Sequence, residues 1–213
     1  MIARARHIRI VVERDPVDWS KIDEFSRAIE KSGHEIEHII QGLLSFARPA
    51  SHGTLENIAL SEILRSTLLL CAARFKESGI DLRVVGLNQG IHIECLPSQL
   101  SQAILNILNN AFDAVRPLDK KWVEIAIKDT VDSAKISVTD SGAGIQKQIA
   151  DRIMEPFFTT KPFQGTGIGL SAAKGIIEAH GGTLYLDTGT KNTCFVIIIP
   201  KRYQQRSGMN SAA

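Results

Sequence analysis

Residues 97–115 carry two different faces at helical spacing, and any fold of this chain must place both of them. Apolar residues recur every three or four positions and form one stripe, which comprises Leu100, Ala103, Ile104, Ile107, Leu108, Ala111 and Val115. A second side is polar and comprises Gln99, Gln102, Asn106, Asn110 and Asp113. The pattern predicts a helix that packs on a core and presents a ladder of amides.

Three asparagines in one helix are unusual, because asparagine is a weak helix former. Asn106, Asn109 and Asn110 lower the stability of the helix, so a function in binding would explain their presence. Asn106 and Asn110 stand one turn apart, so their side-chain oxygens could hold a magnesium ion that also takes phosphate oxygens. The alternative at this point is a polar face that is merely solvated.

The rest of the chain after residue 53 alternates short strands with helices. Strands are predicted near Ile58 and at residues 81–87, 91–95, 123–129 and 134–139. Helices are predicted at residues 61–78 and 169–180, and a last hairpin at 183–187 and 194–199. This order favours an α+β fold, an α/β two-layer sandwich in which helices cover one face of a mixed sheet.

The first fifty residues have a different rhythm. A heptad pattern runs through Ile22, Phe25, Ile29, Ile36, Ile39, Leu43 and Phe46. Met1, Ala5, Ile8 and Val12 precede it at helical spacing, and the Asp15-Pro16 turn separates the two segments. The pattern predicts an antiparallel helical hairpin that would bury its seams in a homodimeric four-helix bundle. Residues 47–53 resemble a hinge, and residues 204–213 a flexible tail.

Composition excludes several classes of protein. With 44% hydrophobic and 23% charged residues the chain is globular, and a net charge of +2 does not indicate a nucleic-acid partner. The apolar runs are far shorter than the ~20 residues of a membrane span, and no secretion signal opens the chain, so a cytoplasmic setting is expected. The three cysteines, Cys71, Cys95 and Cys194, have the neighbours of small buried hydrophobes.

Asp140 follows a predicted strand and is followed by Gly142 and Gly144. A carboxylate in this position can accept a hydrogen bond from the exocyclic amine of a purine, and glycines let the base approach the backbone. The arrangement prefers adenine to guanine. Alone it is a weak signal, because Asp-Ser-Gly is also a common turn.

A second glycine cluster, residues 165–169, precedes the last predicted helix, so that backbone N–H groups would form a phosphate cradle. It matches neither the dinucleotide fingerprint nor a P-loop. Residues 155–161, between the two clusters, predict a mobile lid with an aromatic anchor. Taken alone, Phe157 and Phe158 would be core residues.

Together these segments resemble the nucleotide-binding domain of sensor histidine kinases, in the superfamily that includes DNA gyrase and heat-shock chaperone ATPases. Residues 106–111 are similar to its N box, 140–144 to its first glycine box, 156–158 to its F box and 165–169 to its second glycine box. The resemblance covers residues 54–200 and implies the Bergerat-type sandwich of that superfamily.

The resemblance also implies a ligand and the residues that bind it. The ligand would be ATP with Mg²⁺, with Asn106 and Asn110 at the metal and Asn106 at the reaction. The other expected nucleotide contacts are Asp140, Gly142, Gly144, Phe158, Lys161, Gly165, Thr166, Gly167, Gly169 and Leu170. His180 receives no catalytic role and is expected to meet the dipole at a helix end.

The residue at position 106 distinguishes kinases of the superfamily from its ATPases. ATPases of the superfamily carry a glutamate at this position as general base, and an amide cannot take a proton from water. Hydrolysis should therefore be slow, and the γ-phosphate should be kept for another acceptor.

Kinases of this type phosphorylate a histidine in an H box, which the sequence lacks. His34-Glu-Ile36 mimics its first letters, but it stands too close to Pro49 for the two-helix arrangement of the family. We therefore expect a truncated kinase that cannot phosphorylate itself. Residues 1–50 would form a partial dimerisation hairpin, and residues 51–203 would form the ATP-binding catalytic domain. A natural loss of the acceptor is the alternative, and membrane anchoring upstream stays open.

The resemblance further implies relay of the phosphoryl group to the aspartate of a response-regulator receiver domain, with no nucleic-acid partner. Two alternatives remain. One is a non-catalytic, kinase-like module that acts through partner contacts, and the other is a true ATPase of the superfamily.

Overall fold

The structure, a computed structural model, describes residues 2–12, 17–29, 33, 54–160 and 167–203. Several predictions lie outside the described residues. They concern His34, the second half of the heptad segment, the hinge at 47–53, the tail at 204–213, and three expected phosphate contacts, Lys161, Gly165 and Thr166.

The N-terminal segment contains two helices, α1 (Ile2–Val12) and α2 (residues 19–29). The rings of His7 on α1 and Phe25 on α2 lie 5.7 Å apart between centroids. These helices are the two arms that the sequence predicts, as far as the structure describes them.

Asp18 caps the start of α2. Its Oδ1 accepts hydrogen bonds from the Ser20 hydroxyl at 2.8 Å and from the Lys21 N–H at 3.2 Å. These bonds, with the Lys21 ammonium, lower the pKa of Asp18 to about 2. A carboxylate at a helix N-terminus satisfies donors that the helix itself cannot, so Asp18 fixes where α2 begins.

The remainder of the described chain forms a sheet with helices packed on it. The main sheet has five strands in the order β2-β4-β5-β7-β6, namely Asp81–Val85, Trp122–Asp129, Ser133–Asp140, Cys194–Pro200 and Thr183–Leu186. A separate antiparallel pair is formed by β1 (Glu56–Ala59) and β3 (His92–Cys95). The helices are α3 (Leu60–Glu77), α4 (Pro97–Val115), α5 (Lys147–Ala150) and α6 (Gly169–Ala179).

Helix α4 lies at the centre of the core and contacts α3, α6, β4 and β5. It begins at a proline in the first turn, where the missing N–H leaves no bond unmade. All seven residues of the predicted apolar stripe are buried, and Phe112, which the stripe did not include, is buried with them. Phe112 meets Phe75 of α3 edge to face at 5.2 Å between ring centroids.

The predicted mixed two-layer sandwich is confirmed, and most helices and strands end within two residues of their predicted bounds. Two features were not predicted. Strands β2 and β4 pair in parallel, with Asp81 opposite Trp122, whereas the other neighbours in the main sheet are antiparallel. The short helix α5 is also new. Its four residues lack the repeated apolar spacing that predicts a helix.

The three cysteines are buried and free, as predicted. Burial raises the pKa of the Cys95 thiol to about 11, so it stays protonated and behaves as a small apolar side chain. No helix in the described part of the chain is long and apolar enough to span a membrane.

The packing of α4 predicts a large cost for truncating its buried side chains. Ile107 is fully buried, so Ile107→Ala should lower the free energy of unfolding by about 2–5 kcal/mol. Leu69→Ala is the matched control, because Leu69 on α3 is 82% exposed and its loss should cost less than about 0.5 kcal/mol. Urea unfolding followed by circular dichroism measures both, and equal losses would contradict the central place of α4.

Candidate functional site

Asp140 is the last residue of β5, and its side chain is buried although it carries a carboxylate. Its backbone N–H donates to the Thr193 carbonyl at 3.0 Å, which fixes the residue against the neighbouring segment. Its Oδ1 accepts the backbone N–H of Gly142 at 2.8 Å. A buried carboxylate held in this way is a fixed hydrogen-bond acceptor at the end of a strand.

Gly142 is required by the position of that carboxylate. A Cβ at residue 142 would lie 2.7 Å from Asp140 Oδ1 and 3.4 Å from Thr193 Oγ1. Gly144 has a φ of +84°, and a Cβ there would lie 3.2 Å from the Lys191 carbonyl oxygen. Gly142 thus leaves room for the Asp140 carboxylate and Gly144 serves the turn, while the expected approach of a base to this backbone stays a prediction.

Two polar residues beside Asp140 were not predicted from the sequence. Thr193 is buried next to Gly142, and the side-chain amide of Asn192 donates to the Gly142 carbonyl at 3.0 Å. A signal was present, since Thr193 is a polar residue directly before the apolar strand β7. Its proximity to Asp140 depends on the β5–β7 pairing, which local patterns do not reveal.

Asn106 and Asn110 lie one turn apart on the side of α4 away from its buried stripe, and both are partly exposed. Because α4 contacts β5, the helix that carries these amides packs on the strand that ends at Asp140. The helix therefore bears both predicted amides on one partly exposed side, and their role as ligands stays a prediction.

The F box and the second glycine cluster are joined through their backbones. The Phe157 N–H donates to the Gly167 carbonyl at 3.0 Å. Gly167 has a φ of +67°, and a Cβ there would lie 2.5 Å from the Phe157 carbonyl carbon. Only glycine permits this close approach.

The two phenylalanines differ in their surroundings. Phe158 packs partly buried against the core, with the Arg152 guanidinium 4.5 Å from its ring centroid, so it is the aromatic anchor that was predicted. The prediction of a core position is wrong for Phe157, which is 70% exposed and has a φ of 67°. Its bond to Gly167 holds the backbone in the left-handed region and directs the side chain outwards.

The N-terminus of α6 begins at Gly169. Among the described residues no side chain caps this end, and a Cβ at Gly169 would meet no described atom within 4 Å. Leu170 packs partly buried against the core and orients this first turn. The first N–H groups of a helix have no partner within it, so this end suits an anion.

His180 lies at the end of α6, and the prediction that it interacts with the helix dipole is wrong. It is buried, and its Nε2 accepts the backbone N–H of Leu96 at 3.1 Å. Its Nδ1 therefore carries the proton and donates to the Ile176 carbonyl at 2.8 Å. Burial lowers the pKa of His180 although the bond to Ile176 opposes this, so the residue is a neutral link between α6 and α4.

The donor set allows a magnesium ion only if the ligand completes its coordination. The described residues contain no group of three or more His, Cys, Asp or Glu side chains that could hold a metal. Asn106 and Asn110 offer two amide oxygens, and Mg²⁺ commonly takes one or two protein oxygens, with phosphates and water supplying the rest. The residues present therefore fit a magnesium ion that arrives with a nucleotide.

Residues 95–203 match the family described as histidine kinase-, DNA gyrase B- and HSP90-like ATPases. The chain belongs to this family. The match begins at the end of β3 and includes α4, β5, Phe158 and α6, so every described candidate residue lies within it.

The curated relatives are sensor kinases. The chain is 33% identical to sporulation kinase A of Bacillus subtilis over 78% of its own length and 27% of the relative. It is 32% identical to the sensor histidine kinase ZraS of Salmonella typhimurium over 88% of its own length and 40% of the relative. The chain thus spans well under half the length of these relatives.

Solved structures agree with the fold. The nucleotide-free catalytic domain of histidine kinase ThkA is 29% identical, with a TM-score of 0.65 over 72% of this chain and 99% of that domain. A structure of ThkA in complex with the response regulator TrrA is 22% identical, with a TM-score of 0.71 over 93% of this chain and 57% of that one, and shows the fold alone.

The buried neutral state of His180 predicts a loss of stability in acid. Its folded pKa is lower than the unfolded value of 6.5, so the unfolded state binds the proton more tightly, and stability falls as the pH drops through 6.5. The unaltered chain should therefore lose more unfolding free energy between about pH 7.5 and about pH 5.5 than His180→Gln does.

Urea unfolding at the two pH values measures this difference whatever the starting stability of the variant. His92→Gln, at an exposed histidine, is the control and should keep the acid sensitivity of the unaltered chain. Equal acid sensitivity in His180→Gln would contradict the neutral role of His180.

Proposed function

We propose that this chain contains the ATP-binding catalytic domain of a two-component sensor histidine kinase, which binds ATP with Mg²⁺ and supplies its γ-phosphate to a histidine. The buried carboxylate of Asp140 is the observation that carries the proposal, because its Oδ1 is held as an acceptor by the Gly142 N–H at the end of a strand. A carboxylate accepts from the exocyclic amine of adenine, whereas guanine presents a carbonyl oxygen at that position.

The phosphates would extend from Asp140 towards α4 and the start of α6. The first N–H groups of α6, which no described side chain caps, and the absence of any described atom within 4 Å of a Cβ at Gly169 support phosphate binding there. The bond between Phe157 and Gly167 holds the F box close to this helix end. Lys161, Gly165 and Thr166 are proposed as further phosphate contacts on sequence grounds.

Asn106 and Asn110 would hold the magnesium ion, which neutralises phosphate charge when bound. Asn106 additionally selects the reaction. Its amide cannot deprotonate water, so the site lacks at that position the general base that hydrolysis needs. In phosphoryl transfer the protein mainly positions and stabilises charge, and a site of this kind keeps the γ-phosphate for an incoming acceptor.

The proposed acceptor and partners are those that the relatives suggest. The sensor histidine kinases named above support a histidine acceptor, and the resemblance to their family supports relay to a receiver-domain aspartate. We propose that residues 1–50 contribute to a homodimeric helical bundle and that residues 51–203 form the catalytic domain. The contact between His7 and Phe25 supports the first half of this division.

The role of Asp140 predicts a change in nucleotide preference. Asp140→Asn keeps the shape and an oxygen acceptor for the Gly142 N–H, but its NH₂ group cannot accept from adenine. ATP affinity should fall by roughly tenfold to a hundredfold, and the preference for ATP over GTP should shrink.

Isothermal titration with Mg²⁺ and each nucleotide measures this preference. Asn57→Ala, an exposed residue of β1, is the control and should bind ATP as the unaltered chain does. An unchanged ratio of ATP to GTP affinity in Asp140→Asn would overturn the assignment of the adenine site.

A second experiment separates kinase from ATPase. Incubation with γ-labelled ATP and Mg²⁺ should give little free phosphate and no label on the chain, and a kinase dimerisation domain that contains an H box should become labelled when it is added. Steady phosphate release would identify an ATPase instead. Acid-labile, alkali-stable label on the chain itself would identify a phosphohistidine within these residues and contradict the expected absence of an acceptor.

A further inference from the structure

We propose that Arg74 of α3 is a positioning residue of the nucleotide site, which offsets the charge of Asp113 so that α4 can receive a polyphosphate. This inference rests on the proposed function. Arg74 lies outside the four sequence boxes, and its connection to the site is visible only in the packing of α3 on α4.

The guanidinium of Arg74 bridges two side chains on α4. Its Nη1 donates to Asn109 Oδ1 at 3.3 Å, and its Nη2 lies 3.6 Å from Asp113 Oδ1. Asn109 and Asp113 are four residues apart and are therefore neighbours on the helix surface. Arg74 thus spans one turn of the helix that carries the candidate ligands.

The position of Arg74 is fixed by an aromatic ring. Its Cζ lies 3.9 Å from the ring centroid of Phe112, which is 2% exposed and is itself held edge to face by Phe75. The guanidinium therefore rests on a buried, immobile surface while about half of the side chain faces solvent. This geometry differs from that of an ordinary exposed ion pair, in which both side chains are free to move.

The bridged pair adjoins the proposed magnesium ligands. Asn109 directly precedes Asn110 and follows Asn106 by three residues, and Asp113 follows Asn110 by three. Residues three apart on a helix are surface neighbours, so a carboxylate stands beside the proposed metal and phosphate site. A carboxylate there repels a polyphosphate, and the adjacent guanidinium offsets part of that repulsion and adds a cation on the solvent side.

A double-mutant cycle tests the charge balance. Arg74→Ala should weaken Mg-ATP binding by roughly tenfold, a size typical of coupling between close charged groups. Asp113→Asn should bind at least as tightly as the unaltered chain, and Arg74→Ala in that background should cost less than roughly threefold. The effect of Arg74→Ala should shrink as salt concentration rises.

The control is Arg65→Ala, which removes the same charge from the same helix. Arg65 is hydrogen-bonded at 3.1 Å to Asn88, away from α4, and its loss should leave the affinity unchanged. Arg74→Lys keeps the charge without the planar fork and should retain most of the affinity. Thermal unfolding of every variant shows whether an altered affinity merely follows altered stability.

The outcomes separate this inference from the proposed function. Unaltered chain that binds no Mg-ATP would overturn both. Normal binding with no loss in Arg74→Ala, or a loss equally large in the Asp113→Asn background, would overturn the role of Arg74 alone. Loss of affinity that is rescued by Asp113→Asn would establish it.

Discussion

The burial of one side of α4 is the constraint on which the rest of the structure depends. Ile104, Ile107 and Leu108 are fully buried between the sheet and the flanking helices, so the helix cannot rotate without exposing them. A helix that is fixed in rotation also fixes its opposite side, where Asn106 and Asn110 lie. The hydrophobic core thus determines where the polar ligands point, and asparagines that weaken the isolated helix are kept in place by packing.

The parts of the candidate site come from separate elements, each placed by a different bond. Asp140 is fixed by the pairing of β5 with the segment before β7, and the start of α6 is fixed by the link between Phe157 and Gly167. His180 ties the far end of α6 to the residue before α4. Each of these bonds lies within the chain, and a site that is preorganised by such bonds loses little entropy when it binds.

Local patterns were sufficient for the bounds of α4 and, within one residue, for those of β5, because periodicity and a proline at the helix start act within a few residues. They failed where distant contacts decide the outcome. The sequence predicts an apolar core residue at Phe157, yet its backbone is bonded to Gly167 and its side chain is exposed. Similarly, the sequence predicts that His180 interacts with a helix dipole. In the structure its Nε2 accepts the N–H of Leu96, 84 residues earlier, and this bond requires the neutral imidazole.

The strand order has a consequence for biosynthesis. β7 lies between β5 and β6, so an interior strand of the sheet is the last described element to be translated. A nascent chain that already contains α4, Asp140 and α6 still presents β5 with an open edge, and β6 has no neighbour to pair with. The sheet therefore cannot be completed strand by strand in the order of synthesis. Until β7 inserts, the unfinished domain exposes pairing surface of the kind that chaperones shield.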